Sequence, residues 1–184
     1  MLFRSETQRW ALGRNVAYLN DIQGFSDESF YRELASSDAK LIVMHSIQGR
    51  GPATRVAPPA GSMVDHVTRF FDDRFGALER AEVARNRLIL DPGMGFFLGN
   101  QPEPSLEVIQ GLGTLKERFD VPLLISVSRK SFLRKLAGTD VGSSAAATLS
   151  AELFAASGGA DMIRTHEPRP LADSLAIWGY LAGR

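Results

Sequence analysis

Five short apolar runs punctuate the chain: Val16-Ala17-Tyr18-Leu19, Leu41-Ile42-Val43-Met44, Leu88-Ile89-Leu90, Leu123-Leu124-Ile125-Ser126-Val127 and Met162-Ile163. Each is too short for a helix and apolar on both faces, the pattern of a buried parallel strand. Helical periodicity fills the intervals. Ser26 is expected to cap a helix running to about Ser36, with Asp27 and Glu28 suited to its positive end. Val64, Val67, Phe71, Phe75 and Leu78 recur every three or four residues in a helix expected from Val64 to about Arg85. Leu106, Ile109, Leu112, Leu115 and Phe119 form a second such stripe. Ala145 to Ala156 reads as a small-residue helix, Pro170 to Leu181 as a last one, and residues 5 to 13 as a helix with no strand before it. Repeated strand-then-helix units predict an α/β fold, either a (β/α) barrel or a doubly wound sheet. In both, ligands bind beyond the carboxyl ends of the strands.

Composition narrows the function classes. The 184 residues suit a single domain spanning 1–184. With 21 basic and 21 acidic side chains the formal net charge is zero, so there is no electrostatic footprint for nucleic acid or an anionic membrane. The absence of cysteine removes disulfides, thiolate nucleophiles and cysteine metal sites, and fits a cytoplasmic protein. No apolar run approaches the roughly 20 residues of a membrane span, and the first residues do not read as a signal peptide.

The strand ends carry the polar chemistry. The first ends in Asn20-Asp21-Ile22-Gln23-Gly24, where Asn20 offers both donors and an acceptor to a heterocycle edge; a turn residue is the plainer reading. The second ends in Met44-His45-Ser46, with His45 more often structural than catalytic in such a place. A long loop follows, holding Gly49, Gly51, Pro52, Pro58, Pro59 and Gly61, with Arg50 and Arg55 able to meet an anion. The third ends in Asp91-Pro92-Gly93-Met94-Gly95-Phe96. A carboxylate closing a buried strand needs partners, and an amino-pyrimidine edge can supply two hydrogen bonds. Phe96 offers a flat face for stacking. The fourth ends in Ser128-Arg129-Lys130-Ser131, where a lysine could hydrogen-bond a ring carbonyl or neutralise departing charge. The fifth ends in Arg164-Thr165-His166. Alternate residues share a face, so Arg164 and His166 can meet one anion.

In this order, Asn-Asp-Ile-x-Gly, Met-His, Asp-Pro-Gly-x-Gly-Phe, Ser-Arg-Lys and Arg-x-His resemble the motifs of the dihydropteroate synthase family, from about Glu6 onward. The resemblance implies a (β/α)8 barrel of which about five strand-helix units are present. It implies displacement of pyrophosphate from 6-hydroxymethyl-7,8-dihydropterin pyrophosphate by para-aminobenzoate. It assigns Asn20, Met44 and Asp91 to the pterin, Lys130 to the pterin near para-aminobenzoate, Ser128 and Phe96 to para-aminobenzoate, and Arg164 and His166 to pyrophosphate. Lys130, Arg164 and His166 are thereby the expected catalytic groups. It also implies Mg²⁺, held by an N-terminal loop that this chain lacks, no metal ligand within the chain itself, and a homodimer.

Three departures accompany the likeness. The family's N-terminal strands are absent, Leu98 stands where many members carry lysine, and Glu167 follows His166 where aspartate is usual. The absent strands imply an incomplete barrel and keep a non-catalytic pterin-binding module as an alternative. A methyltetrahydrofolate-dependent methyltransferase barrel shares the Asn and Asp-Pro-Gly contacts, but Ser128-Arg129-Lys130 followed by Arg164-Thr165-His166 favours the synthase. A generic phosphate-binding barrel would leave Asp91 and Lys130 unexplained.

Overall fold

The computed structural model of the chain describes residues 3–48 and 55–183; Gly49, Arg50, Gly51 and Pro52 lie outside them. Among the described residues are five strands: β1 (Tyr18–Asp21), β2 (Lys40–Met44), β3 (Leu88–Asp91), β4 (Leu124–Ile125) and β5 (Met162–Ile163). The helices are α1 (Phe3–Leu12), α2 (Tyr31–Ala35), α3 (Met63–Arg80), α4 (Glu103–Gln110), α5 (Leu112–Phe119), α6 (Ser131–Ala137), α7 (Ala145–Ser157) and α8 (Pro168–Leu181).

Every strand pair is parallel. β1, β2 and β3 lie side by side with Asn20 opposite Ile42 and Met44 opposite Asp91. β4 pairs with β5, Leu124 opposite Met162. A bridge from Leu90 to Leu123 and the Leu90 N–H to Pro122 carbonyl bond (2.9 Å) join the two groups. Strand order thus follows chain order, as in an arc of a (β/α)8 barrel.

Strand alternation sorts the side chains into two layers. Leu41, Val43, Leu88, Leu90, Leu123 and Ile125 point outward and are fully buried beneath the helices. The centre of that layer is aromatic: Phe71 and Phe75 of α3 meet Phe119 of α5 at ring separations of 5.8 and 5.7 Å. Inward-pointing Ile42, Ile89 and Leu124, with Met162 against them, form a much smaller cluster.

Local chemistry shifts several boundaries from those expected. The segment after β1 is capped by Asp27, not Ser26: the Asp27 carboxylate accepts from the Ser29 N–H (3.2 Å) and hydroxyl (2.6 Å), and a 3₁₀ turn at Glu28–Phe30 leads into α2. α3 stops at Arg80 because Glu82 turns to φ +67°, short of the expected Arg85. The helix expected through residues 106–119 is broken at Gly111. A Cβ there would come within 2.7 Å of Val64 Cγ2, so α3 demands a glycine where the two halves bend. Arg87, just before β3, ties the preceding unit down. Its guanidinium donates to the carbonyls of Leu34 (2.8 Å) and Ala39 (2.9 Å) and to the Ser37 hydroxyl (2.9 Å). Those carbonyls end α2 and precede β2, where a cation is favoured.

Candidate active site

The carboxyl ends of the strands meet on the inner side of the sheet. Asp91, last residue of β3, is only 2% exposed. Its Oδ1 accepts the Gly93 N–H at 2.9 Å. Burial pushes its carboxyl up to about 6, against that hydrogen bond and the fields of Arg164 and Lys130. Lys130 answers it from the next strand end. Burial lowers its ammonium, Asp91 pulls it back up, and Arg164 lowers it further. The Lys130 Nζ lies 5.4 Å from the centroid of the Phe97 ring.

Two glycines make this approach possible. Gly93 (φ +71°) sits where a Cβ would fall 2.4 Å from the His45 carbonyl oxygen. Gly95 (φ +67°) lets the Lys130 side chain pass, its Cδ at 3.4 Å from the position a Cβ would take. The Gly95 N–H is fixed by the Ser105 hydroxyl at 3.0 Å. His45 holds the same segment from the other side. Burial lowers its ring to about 4, so it is neutral near pH 7. Its Nδ1 donates to the Pro92 carbonyl (3.0 Å), while Nε2 finds no partner among the described residues. Its ring packs edge-on against Phe70 and His66, at 5.1 and 5.3 Å. His45 is a structural clamp on the Asp-Pro-Gly segment, as its plainer reading suggests.

The arginine and histidine motif extends beyond β5. The Arg164 N–H continues the parallel ladder to the Ile125 carbonyl (2.8 Å). Ser128 Oγ accepts the His166 N–H (3.1 Å) and lies 2.8 Å from His166 Nδ1. Arg129, between Ser128 and Lys130, is left-handed at φ +57°. Its N–H is taken by Thr148 Oγ1 (3.1 Å), and its guanidinium pairs with Glu167 at 2.5 Å. A non-glycine residue held there stores strain of about 1–3 kcal/mol, which the surrounding bonds offset.

The structure therefore brings Asp91, Lys130 and Arg164 into one field, joins Ser128 to His166, and sets Met44 beside Asp91. Asn20 faces the same way one layer deeper on exposed β1. Phe96 lines a side cavity of about 230 Å³ with Gln101, Ser131 and Lys135, and Arg55 lies 5.4 Å from its ring centroid. A larger cavity of about 650 Å³ lies at the opposite, amino-terminal ends of β1 and β2, lined by Arg9, Asn15 and Arg32, away from these groups. Among the described residues no cluster of three or more His, Asp or Glu could hold a metal ion, so their own donors do not fit the implied Mg²⁺. No helix among them is long and apolar enough to cross a membrane. Thr148, whose hydroxyl holds the Arg129 N–H, escaped the sequence reading, because a hydroxyl in a small-residue helix carries no motif.

Comparison with known proteins places this geometry. The pterin binding enzyme family matches residues 3–166. The chain is 60% identical over 175 residues to "Dihydropteroate synthase type-2" of Escherichia coli, a match covering 95% of this chain and 64% of that protein. It thus spans less than two thirds of that relative's length. Its fold superposes on dihydropteroate synthase from Stenotrophomonas maltophilia with a TM-score of 0.89 at 29% identity, over 98% of this chain and 67% of the other. The enzyme from Xanthomonas albilineans, solved in complex with 7,8-dihydropteroate, gives a TM-score of 0.86 at 28% identity, over 99% and 67% of the two chains. The parallel strands are accordingly an arc of a TIM-like barrel, and the chain belongs to the pterin-binding enzyme family.

Proposed function

We propose that this chain carries the greater part of a dihydropteroate synthase site. The reaction joins 6-hydroxymethyl-7,8-dihydropterin pyrophosphate to para-aminobenzoate, giving 7,8-dihydropteroate and free pyrophosphate. The observation that carries this reading is Asp91, a buried carboxylate at the open end of β3 with Lys130 and Arg164 in its field. An ionised carboxylate in such a place needs donors, and the amino-pyrimidine edge of a pterin supplies two.

The roles follow from position. Asn20 and Asp91 bind the pterin ring, Met44 packs beside it, and Lys130 reaches its carbonyl. Phe96 and Ser128 hold para-aminobenzoate. Arg164 and His166 bind the pyrophosphate. In the reaction the methylene C–O bond breaks as pyrophosphate leaves with the electron pair. The para-aminobenzoate nitrogen then forms the new C–N bond and loses a proton. Fixed donors on the departing oxygens lower the barrier, each by on the order of a few kcal/mol. The weak aniline nucleophile needs orientation more than activation. Mg²⁺ would accompany the pyrophosphate, with its protein ligand expected outside this chain. The zero net charge and lack of cysteine suit a cytoplasmic protein. Exposed Phe154, Ile177, Trp178 and Tyr180 on α7 and α8 suit a homodimer.

The test is release of pyrophosphate from the pterin substrate on adding para-aminobenzoate. Asp91→Ala is expected to abolish pterin binding. Arg164→Ala is expected to weaken the pyrophosphate ester far more than free pterin. Equal losses for both ligands would contradict the anion role. Binding of both substrates with no pyrophosphate release would favour a non-catalytic pterin-binding module.

A further inference from the structure

Two residues beside the site stand where local backbone chemistry favours other residue types. Val127 to Lys130 form a tight turn at the end of β4, closed by the Lys130 N–H on the Val127 carbonyl at 3.1 Å. Arg129 takes the third position of that turn at φ +57°, where glycine or asparagine is the usual occupant. Glu167 takes the N-cap of α8, where a short polar side chain would accept a helix N–H, yet its side chain makes no such bond. Each turns its charge to the other: Arg129 Nη2 donates to Glu167 Oε1 at 2.5 Å. Both side chains are 43% exposed, a depth at which an isolated ion pair adds little stability. Stability alone therefore does not account for an arginine at a strained turn position.

What the pair encloses is His166. Ser128, just before Arg129, accepts the His166 N–H at 3.1 Å and lies 2.8 Å from its Nδ1. Glu167 follows His166 directly, with its own N–H taken by Thr165 Oγ1 at 3.1 Å. Behind the turn, the Arg129 N–H is anchored on buried Thr148 at 3.1 Å. The ion pair thus draws together the same two segments that the serine and histidine join, one residue further along each. We propose that Arg129 and Glu167 are positioning residues for His166: their ion pair clasps the ends of β4 and β5 and keeps the imidazole seated on Ser128, ready for an anion. This rests on the anion-binding reading above and deepens it.

Calorimetric titration of the chain with inorganic pyrophosphate, and separately with 6-hydroxymethylpterin, tests it. Glu167→Gln removes a negative charge near the anion site, so a purely through-space effect would tighten pyrophosphate. Loss of the clasp is expected to weaken it about fivefold. Arg129→Gly keeps the left-handed turn, which glycine adopts freely, and removes the guanidinium. It is expected to retain the near-ultraviolet circular dichroism of the parent and to weaken pyrophosphate by a similar factor. Both variants are expected to leave pterin affinity within about twofold, because Asp91 is held separately by Gly93. Exchanging the charges, Arg129→Glu with Glu167→Arg, is expected to restore most of the lost pyrophosphate affinity. Pyrophosphate binding unchanged or tighter in Glu167→Gln, or equal losses for pyrophosphate and pterin, would overturn the positioning role alone. A parent chain that binds pterin but no pyrophosphate overturns the anion reading, and this role with it.

Discussion

The two faces of the sheet are built to different ends. The helix-facing side is a continuous apolar layer, with Leu41, Val43, Leu88 and Leu90 sealed beneath Phe71, Phe75 and Phe119. The inner side has a small cluster of buried apolar residues, Ile42, Ile89 and Leu124, and at β1 it opens to water, with Tyr18 50% exposed. Above that thin floor stand Asp91 and Lys130, whose burial opposes their charges. Apolar packing is concentrated on one face and buried charge on the other. Groups poised for ligands carry a free-energy cost in the empty protein that the outer layer must offset.

The largest expected effect lies on the outer face. Phe71→Ala leaves a cavity among three rings and should cost about 3–5 kcal/mol in chemical denaturation. A cost near that of an inner-face substitution would erase the distinction between the faces.

A second test sharpens the contrast through pH. The folded Asp91 carboxyl is raised to about 6 from an ordinary 3.8, so the folded state binds its proton more tightly. The stability linked to it is fully present below about pH 4 and lost as pH rises through about 6. Asp91→Asn should therefore stabilise the ligand-free chain at pH 8, by on the order of a few kcal/mol, and leave it unchanged at pH 4. His45 runs the other way. Its ring is lowered to about 4 from 6.5, so its contribution is intact above 6.5 and lost as pH falls through about 4. The two slopes oppose each other in the parent chain. Asp91→Asn should uncover the acid sensitivity of His45, seen as a melting temperature that falls between pH 6.5 and 4. A variant less stable than the parent at pH 8 would mean that Lys130 and Arg164 already compensate the buried charge.

The smallest effect is expected at the inner floor. Met162 is only partly buried against its cluster, so Met162→Ala should cost about 1 kcal/mol, below the usual range for a sealed core methionine. A loss as large as that of Phe71→Ala would show the floor to be a core in its own right.

The same two faces explain what could be read from the sequence. Runs buried on both sides, Leu41–Met44 and Leu88–Leu90, announced β2 and β3 within a residue. β1 lies two residues later than its apolar run, because the polar Asn20 and Asp21 continue the strand pairing with β2. Asp21 spends its carboxylate on the Gln23 and Phe25 N–H groups of the following turn, at 3.1 and 2.9 Å. The break at Gly111 was hidden because its cause, Val64, is distant in sequence. In the site, charged residues at strand ends were legible, since a buried strand that closes on a charge is itself a signal. The residues that hold them were not. Phe97 meets the lysine, and Ser105 fixes Gly95. Each of these depends on packing that periodicity does not encode.

The wedge between Gly93 and the His45 carbonyl bears on how such a protein can change. With a Cβ excluded at Gly93, and His45 Nδ1 bonded to the Pro92 carbonyl, the ends of β2 and β3 move as one piece. A single substitution in that piece shifts both strand ends together. The rim is different. Pro58 abuts Gly99, and the Val56 carbonyl receives the Asn100 N–H at 2.8 Å, so one loop leans on another through few bonds. Substitutions are accordingly accommodated there one at a time, while the joined ends of β2 and β3 tolerate few.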